Sequence, residues 1–251
     1  MGKWFLRVDD LDTPRNKEGS IEKLEKDLQW LGLNWDGPVI LQSQRRGLYR
    51  LTLSHLRRKN KLYACRCSRK KIFNDLQNKR QKNLYPGTCR NLQLSFNWYE
   101  SRLPSLRLKV EEDFINTCGD IILRRSDGII AYHLASIVDD LTMGITEVVR
   151  GVDLRESLPA QLALLNELKQ SRLKFTHIPI LYEKNGKKLS KREGSQGVDG
   201  LRMKGIKPAQ LIGYFAASLG LLPFGEKLSA QELLFELSTR KNPLSKIFVE
   251  R

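Results

Sequence analysis

Apolar and polar residues alternate along this chain in periods that change from segment to segment, and each period predicts an element. Residues 4–9 (Trp-Phe-Leu-Arg-Val-Asp) read as a strand, closed by the Thr13-Pro14 break. Ile21, Leu24, Leu28 and Leu31 recur at helical spacing, with Ser20 as the expected cap and Gly32 as the stop. A second helix is predicted from about Arg46 to Lys59, with Leu48, Leu51 and Leu56 among its apolar positions. From 60 to about 100 the periodicity fades, and that stretch reads as an insertion. Ser105 to Val110 alternates apolar and basic residues, as a half-exposed strand does. Ile121 to Arg125, Ser126-Asp127-Gly128 and Ile129 to Ala131 read as strand, turn and strand. Pro159 to Leu168 is helical in pattern, and Ile178 to Glu183 reads as a strand before an Asn185-Gly186 turn. Pro208 stands where a first-turn proline belongs, ahead of Ala209 to Leu219, and Ser229 is placed to cap a last helix through Leu237. Together these predict an open parallel α/β sheet, interrupted by an insertion and followed by a short helical region.

Composition narrows the setting. With 251 residues the chain can bury a substantial core. The first residues carry charges with no apolar run before them, and the longest apolar tract, Leu211 to Phe224, is too short to span a bilayer and contains Gly220 and Pro223. A soluble, cytoplasmic protein is expected, without a membrane partner. Four cysteines in a chain of this length do not suggest a disulfide scaffold. The formal net charge is +16 and is unevenly placed. Residues 57–82 hold eleven Lys/Arg against the single acid Asp75, a local charge of +10. Charge so concentrated favours a phosphate backbone as partner; the plainer alternative is a solvated basic face.

Two short patterns carry candidate chemistry. In Lys187-Lys188-Leu189-Ser190-Lys191-Arg192-Glu193-Gly194, lysines and a serine on a loop suit a polyphosphate whose charge develops during reaction, although a basic exposed turn accounts for the stretch equally well. Cys65-x-Cys67 followed by Tyr85-x-x-x-Cys89 offers three soft thiolates that suit zinc. The one-residue gap in the first pair is tighter than the usual zinc spacing, so three free thiols remain an open alternative. Cys118 has no partner by spacing, and His55, His133 and His177 are scattered and read as structural.

Further segments change the weight of both patterns. Arg7-Val8-Asp9-Asp10-Leu11-Asp12-Thr13-Pro14-Arg15, Ala131-Tyr132-His133-Leu134-Ala135, Val138-Asp139-Asp140 and Val148-Val149-Arg150-Gly151-Val152-Asp153-Leu154 precede the Lys-Leu-Ser-Lys loop in this order. The set resembles the catalytic core of glutamate-type class I aminoacyl-tRNA synthetases, from about residue 4 to the end of the chain. The resemblance implies an ATP-dependent ligase with a Rossmann-like parallel sheet. It implies a catalytic domain in two parts, 1–59 and 105–197, a zinc-bearing insertion at 60–104 that approaches tRNA, and a C-terminal helical region at 198–251. It places Asp9, Tyr132 and Arg150 at the glutamate-binding positions, and residues 188–192 (Lys188, Leu189, Ser190, Lys191, Arg192) at ATP, with Lys188 and Lys191 as the catalytic cations. It makes Cys65, Cys67, Tyr85 and Cys89 the ligands of one structural Zn2+, and Mg2+ is expected to accompany ATP.

Departures from the pattern matter. The family usually has glutamate where Asp9 stands, so the carboxylate here is one methylene shorter. The resemblance also implies a first strand and a His-Ile-Gly-His-like helix start ahead of Trp4; no such residues stand upstream of it in this sequence. An upstream start is expected, the alternative being a remnant with impaired adenylation. The short region after Gly194 fits the queuosine-modifying branch of the family. By resemblance, that branch activates L-glutamate without tRNA and attaches it to queuosine at the wobble position of tRNA(Asp). A monomer is expected. Two other readings stay open: a tRNA-binding homologue without catalysis, and a fragment of an ordinary glutamyl-tRNA synthetase.

Overall fold

Two βαβ units and a three-stranded antiparallel sheet organise the chain. A computed structural model describes residues 2–13, 16–79, 84–170, 173–180, 182 and 197–241, without the side chains of 76–79. In chain order the elements are β1 (Arg7–Val8), α1 (Ser20–Trp30), β2 (Ile40–Leu41), α2 (Arg46–Arg58), β3 (Leu62–Cys65), α3 (Arg69–Lys79), β4 (Ser105–Leu108) and α4 (Glu112–Ile115). There follow β5 (Ile122–Arg124), α5 (Tyr132–Thr142), β6 (Glu147–Gly151), α6 (Leu158–Glu167), β7 (Lys174–Ile178), α7 (Val198–Met203), α8 (Pro208–Ser218) and α9 (Ala230–Ser238). β1 pairs with β2 and β6 with β7, both parallel, as a helical crossover requires.

The helix signals translate into geometry with one exception. α1 and α2 stop as the sequence predicts: Gly32 and Asn60 take positive φ, and Leu33 N–H and Lys61 N–H reach back to Leu28 O and Leu56 O. These are Schellman closures, which satisfy carbonyls the helix end would leave bare. Ser20 is the first helical residue of α1 rather than its cap; Gly19, at φ 73, occupies the cap position and no side chain caps it. Ser229 does cap α9, accepting from Glu232 N–H while the Glu232 carboxylate accepts from Ser229 N–H. In α8, Gly213 is required by close approach, since a Cβ there would overlap the Glu226 carbonyl.

The main core collects Tyr49, Leu53 and Leu56 of α2, Leu106, Leu108 and Leu123 of the antiparallel sheet, Leu134 and Ile137 of α5, and Leu164 of α6. Each such side chain contributes about 1.5–3 kcal/mol by leaving water. Three expectations are corrected here. Residues 60–100 are not featureless: they hold β3, whose four residues are all buried, and α3. β4 is buried rather than half exposed, because the Arg107 guanidinium lies over the Tyr85 ring at 3.7 Å and donates to Asp120 O at 2.7 Å. The ring face and the carbonyl take the place of part of its hydration. The strand expected at 178–183 ends at Ile178 in the described residues. β4 pairs with both β3 and β5, so one sheet joins residues on either side of 104.

Candidate active site and thiolate cluster

Register alone brings one guanidinium into the interior. Parallel pairing sets Arg150 of β6 opposite His177 of β7, and both side chains turn inward; Arg150 is 9% exposed and His177 3%. Arg150 Nε donates to His177 Nε2 at 3.2 Å and Nη1 donates to Gln161 Oε1 at 2.6 Å. Gln161 then donates to Ser136 Oγ at 3.0 Å, and Ser136 Oγ to the Tyr132 carbonyl at 2.8 Å. Two edges of the guanidinium are therefore fixed, while Nη2 is buried with no hydrogen-bond partner among the described residues. A buried charged donor left open in this way is costly unless a ligand completes it, and a carboxylate is the matching acceptor. Burial, and then the Arg150 charge, hold both His133 and His177 below the ordinary histidine range, so that His177 keeps the lone pair that Arg150 Nε needs. Next to Arg150, Gly151 gives close packing: a Cβ would overlap the Asp153 carboxylate and lie 2.9 Å from Ile180, so those side chains would have to shift.

A second polar cluster sits beneath β1. Asp139 of α5 is fully buried and accepts from Gln42 Nε2 at 2.9 Å, Tyr49 OH at 2.8 Å and Arg45 Nε at 2.7 Å. Arg7 of β1 donates to Asp140 and, through Nε at 2.9 Å, to Asp9 Oδ1. Burial works against the Arg7 charge, but Asp9 and Asp140 outweigh it and raise its pKa further. This bracket ties the N-terminal strand to the helix that starts at Tyr132. Asp9, half exposed, and Tyr132, 39% exposed, line one cavity of about 620 Å³ together with Gln42, Arg69, Arg125 and His133. Arg150 is not among the residues lining it; it stands behind His133, joined to the Tyr132 backbone through Gln161 and Ser136.

The thiols of Cys65, Cys67 and Cys89 come together, with ligand atoms within 4.8 Å of one another. Cys67 Sγ lies 3.5 Å from Cys89 Sγ, and Tyr85 OH lies 3.3 Å from Cys65 Sγ and 3.7 Å from Cys67 Sγ. Tetrahedral coordination with metal–sulfur bonds of about 2.3 Å puts sulfurs about 3.8 Å apart, so the cluster can hold one metal ion with little movement. Burial pushes the Cys67 thiol up to about 12. Burial also opposes ionisation of Cys89, but hydrogen bonds from Arg66 N–H and Tyr85 outweigh it and bring that thiol below its usual value. Cys118 stands apart, its Sγ 3.4 Å from Phe114 O. The loop carrying Lys188, Leu189, Ser190, Lys191 and Arg192 lies outside the described residues.

Sequence reading missed the residues that hold others in place: Arg7, Arg45 and Tyr49 around Asp139, and Gln161 and His177 around Arg150. One signal was present. Asp139-Asp140 interrupts an apolar helix run, and two adjacent acids on a core-facing helix demand buried cations. Nothing comparable marks Gln161 or His177, whose roles depend on strand register.

Comparison with known proteins places the chain as a whole. Residues 1–228 match the family described as tRNA synthetases class I (E and Q), catalytic domain. A glutamyl-Q tRNA(Asp) synthetase from Prochlorococcus marinus (strain MIT 9303) is 54% identical over 246 residues, covering 98% of this chain and 80% of that protein. One from Synechococcus sp. (strain CC9605) is 48% identical, covering 94% and 78%. Among solved structures, a glutamate-tRNA synthetase from Elizabethkingia anophelis superposes with a TM-score of 0.73 at 25% identity, covering 93% of this chain and 58% of that one.

Proposed function

The chain belongs to the class I tRNA synthetase (E and Q) catalytic-domain family, and we propose that it activates L-glutamate with ATP and transfers it to queuosine in tRNA(Asp). The observation that carries this reading is buried Arg150, fixed by His177 and Gln161, whose Nη2 has no hydrogen-bond partner among the described residues. The names and high identity of the Prochlorococcus and Synechococcus relatives support the queuosine acceptor. In the proposed reaction, Arg150 holds one carboxylate of glutamate, Tyr132 adds a hydroxyl, and Asp9 accepts from the ammonium. Arg7 holds the short Asp9 carboxylate just after β1. The α-carboxylate oxygen attacks the α-phosphorus of ATP, the bond to the bridging oxygen breaks, and pyrophosphate leaves. Lys188 and Lys191 are proposed to neutralise the charge that develops on those phosphates, and Mg2+ accompanying ATP supplies further neutralisation. A hydroxyl of queuosine then attacks the glutamyl carbonyl and AMP leaves.

The metal cluster is proposed to be a structural zinc site with Cys65, Cys67, Cys89 and Tyr85 as ligands. The insertion it pins is proposed to run from residue 60 through β5 rather than to 104, since β4 shares a sheet with β3. The catalytic parts then flank it and 198–251 forms the helical region, in a cytoplasmic monomer. No helix among the described residues is long and apolar enough to cross a membrane. Isotope-labelled glutamate should be transferred to queuosine-bearing tRNA(Asp) and not to tRNA(Glu), with Arg150→Ala losing glutamate binding by calorimetry. Charging of tRNA(Glu) instead, or unchanged glutamate affinity in Arg150→Ala, would overturn the proposal.

A further inference from the structure

Beyond the cleft, the segment after the thiolate cluster exposes a large aromatic side chain on a tightly held turn. Trp98 is 68% exposed. The next residue starts a two-residue hairpin: Tyr99 and Arg102 exchange backbone hydrogen bonds at 2.9 Å, with Glu100 and Ser101 at φ 43 and 64. Two successive non-glycine residues in the left-handed region are unfavourable on their own, so surrounding contacts must hold the turn. They are visible. The Tyr99 ring has the Arg66 guanidinium over it at 4.2 Å and the Arg102 guanidinium at 5.1 Å, and its hydroxyl donates to Arg66 O at 3.3 Å. Arg66 stands between Cys65 and Cys67, two of the three clustered thiols. The cluster thus anchors Arg66, Arg66 anchors Tyr99, and Tyr99 fixes the neighbour of Trp98.

On the other side of Trp98, Asn97 lines a cavity of about 410 Å³ with Arg57, Asn60, Arg90, Gln93 and Phe96. The Arg57 guanidinium stacks 4.3 Å above the Phe96 ring. Arg90 is held by Asp120 and the Val110 carbonyl, which leaves three side-chain amides and the Arg57 cation in a cavity whose Asn97 directly precedes the exposed Trp98. Together these are groups that read base edges, hold a phosphate and stack a base. Duplex phosphates alone would need only cations. We infer that Trp98 and this cavity form a binding site for an unpaired nucleotide of an RNA loop, with the base stacked on the indole and its edge or phosphate received by the cavity. The inference rests on the RNA-modifying reading above and adds a recognition element to it outside the glutamate site.

Fluorescence anisotropy with a labelled RNA stem-loop, and in parallel with a fully paired RNA of equal length, tests it. Trp98→Ala should weaken the stem-loop about 5- to 100-fold, leave the duplex unchanged and keep wild-type glutamate affinity. Trp98→Phe should retain most of the binding. Because the side chain is exposed, thermal unfolding of both variants should match wild type, and Arg102→Ala provides a second variant expected to weaken only the stem-loop. Equal stem-loop affinity for wild type and Trp98→Ala, or an equal loss on the duplex, would overturn the site while leaving glutamate transfer intact. Failure of the wild-type chain to bind either RNA would overturn both readings.

Discussion

Replacing Asp139 by alanine removes the acceptor around which the N-terminal strand, α2 and α5 are organised. The carboxylate is fully buried and receives hydrogen bonds from Gln42, Tyr49 and Arg45, with Arg7 Nε a further 3.9 Å away. Without it, the Tyr49 hydroxyl and Gln42 amide, both buried, are left without that acceptor, at about 1–3 kcal/mol each. The Arg45 guanidinium loses its carboxylate, and breaking a buried pair from one side costs ~3–5 kcal/mol. These terms share one atom group and do not add, so a total loss of about 3–5 kcal/mol is expected. For a chain of this size that corresponds to a fall in Tm of roughly 6–20 °C. Thermal unfolding followed by circular dichroism measures it directly. Asp139→Asn, which keeps the shape and one acceptor oxygen but removes the charge, should fall between wild type and alanine. A Tm within roughly 2 °C of wild type for Asp139→Ala would refute the reasoning, showing that the three donors find equal partners elsewhere.

Two further outcomes follow from the same geometry. His133 and His177 are held below the value of about 6.5 that histidine has in an unfolded chain, so the unfolded state binds more protons between that value and the lowered one. Stability should be full above about pH 6.5 and fall as pH drops through that window. The fall should flatten in a His133→Gln, His177→Gln double variant, and a slope unchanged by both substitutions would contradict it. Elemental analysis should find one zinc per chain, dropping below roughly half occupancy in Cys89→Ser, with the melting temperature of the chelator-treated wild type falling toward that of the variant; full occupancy in Cys89→Ser would remove that thiol from the ligand set.

The local pattern determined most elements of this protein, because helix caps, turn glycines and apolar spacing act within a few residues. The Schellman stops at Gly32 and Asn60, the Ser229–Glu232 box and the Pro208 helix start are all of this kind. The ordered motifs likewise pointed to a synthetase-like core and to a thiol cluster before any coordinates. What sequence could not decide was the fate of charges that are paired at long range. Arg107 reads as the exposed side of an alternating strand, yet it lies buried over Tyr85, twenty-two residues earlier in the chain. Arg7 reads as one basic residue among many until α5, 133 residues away, brings Asp140 to it. His177 reads as a scattered histidine until strand register sets it against Arg150. Burial of a charge is favourable only when its partner arrives with good geometry. Arrival is a property of how strands pair and helices cross, so the tertiary structure alone decided which polar residues are solvated and which hold the site.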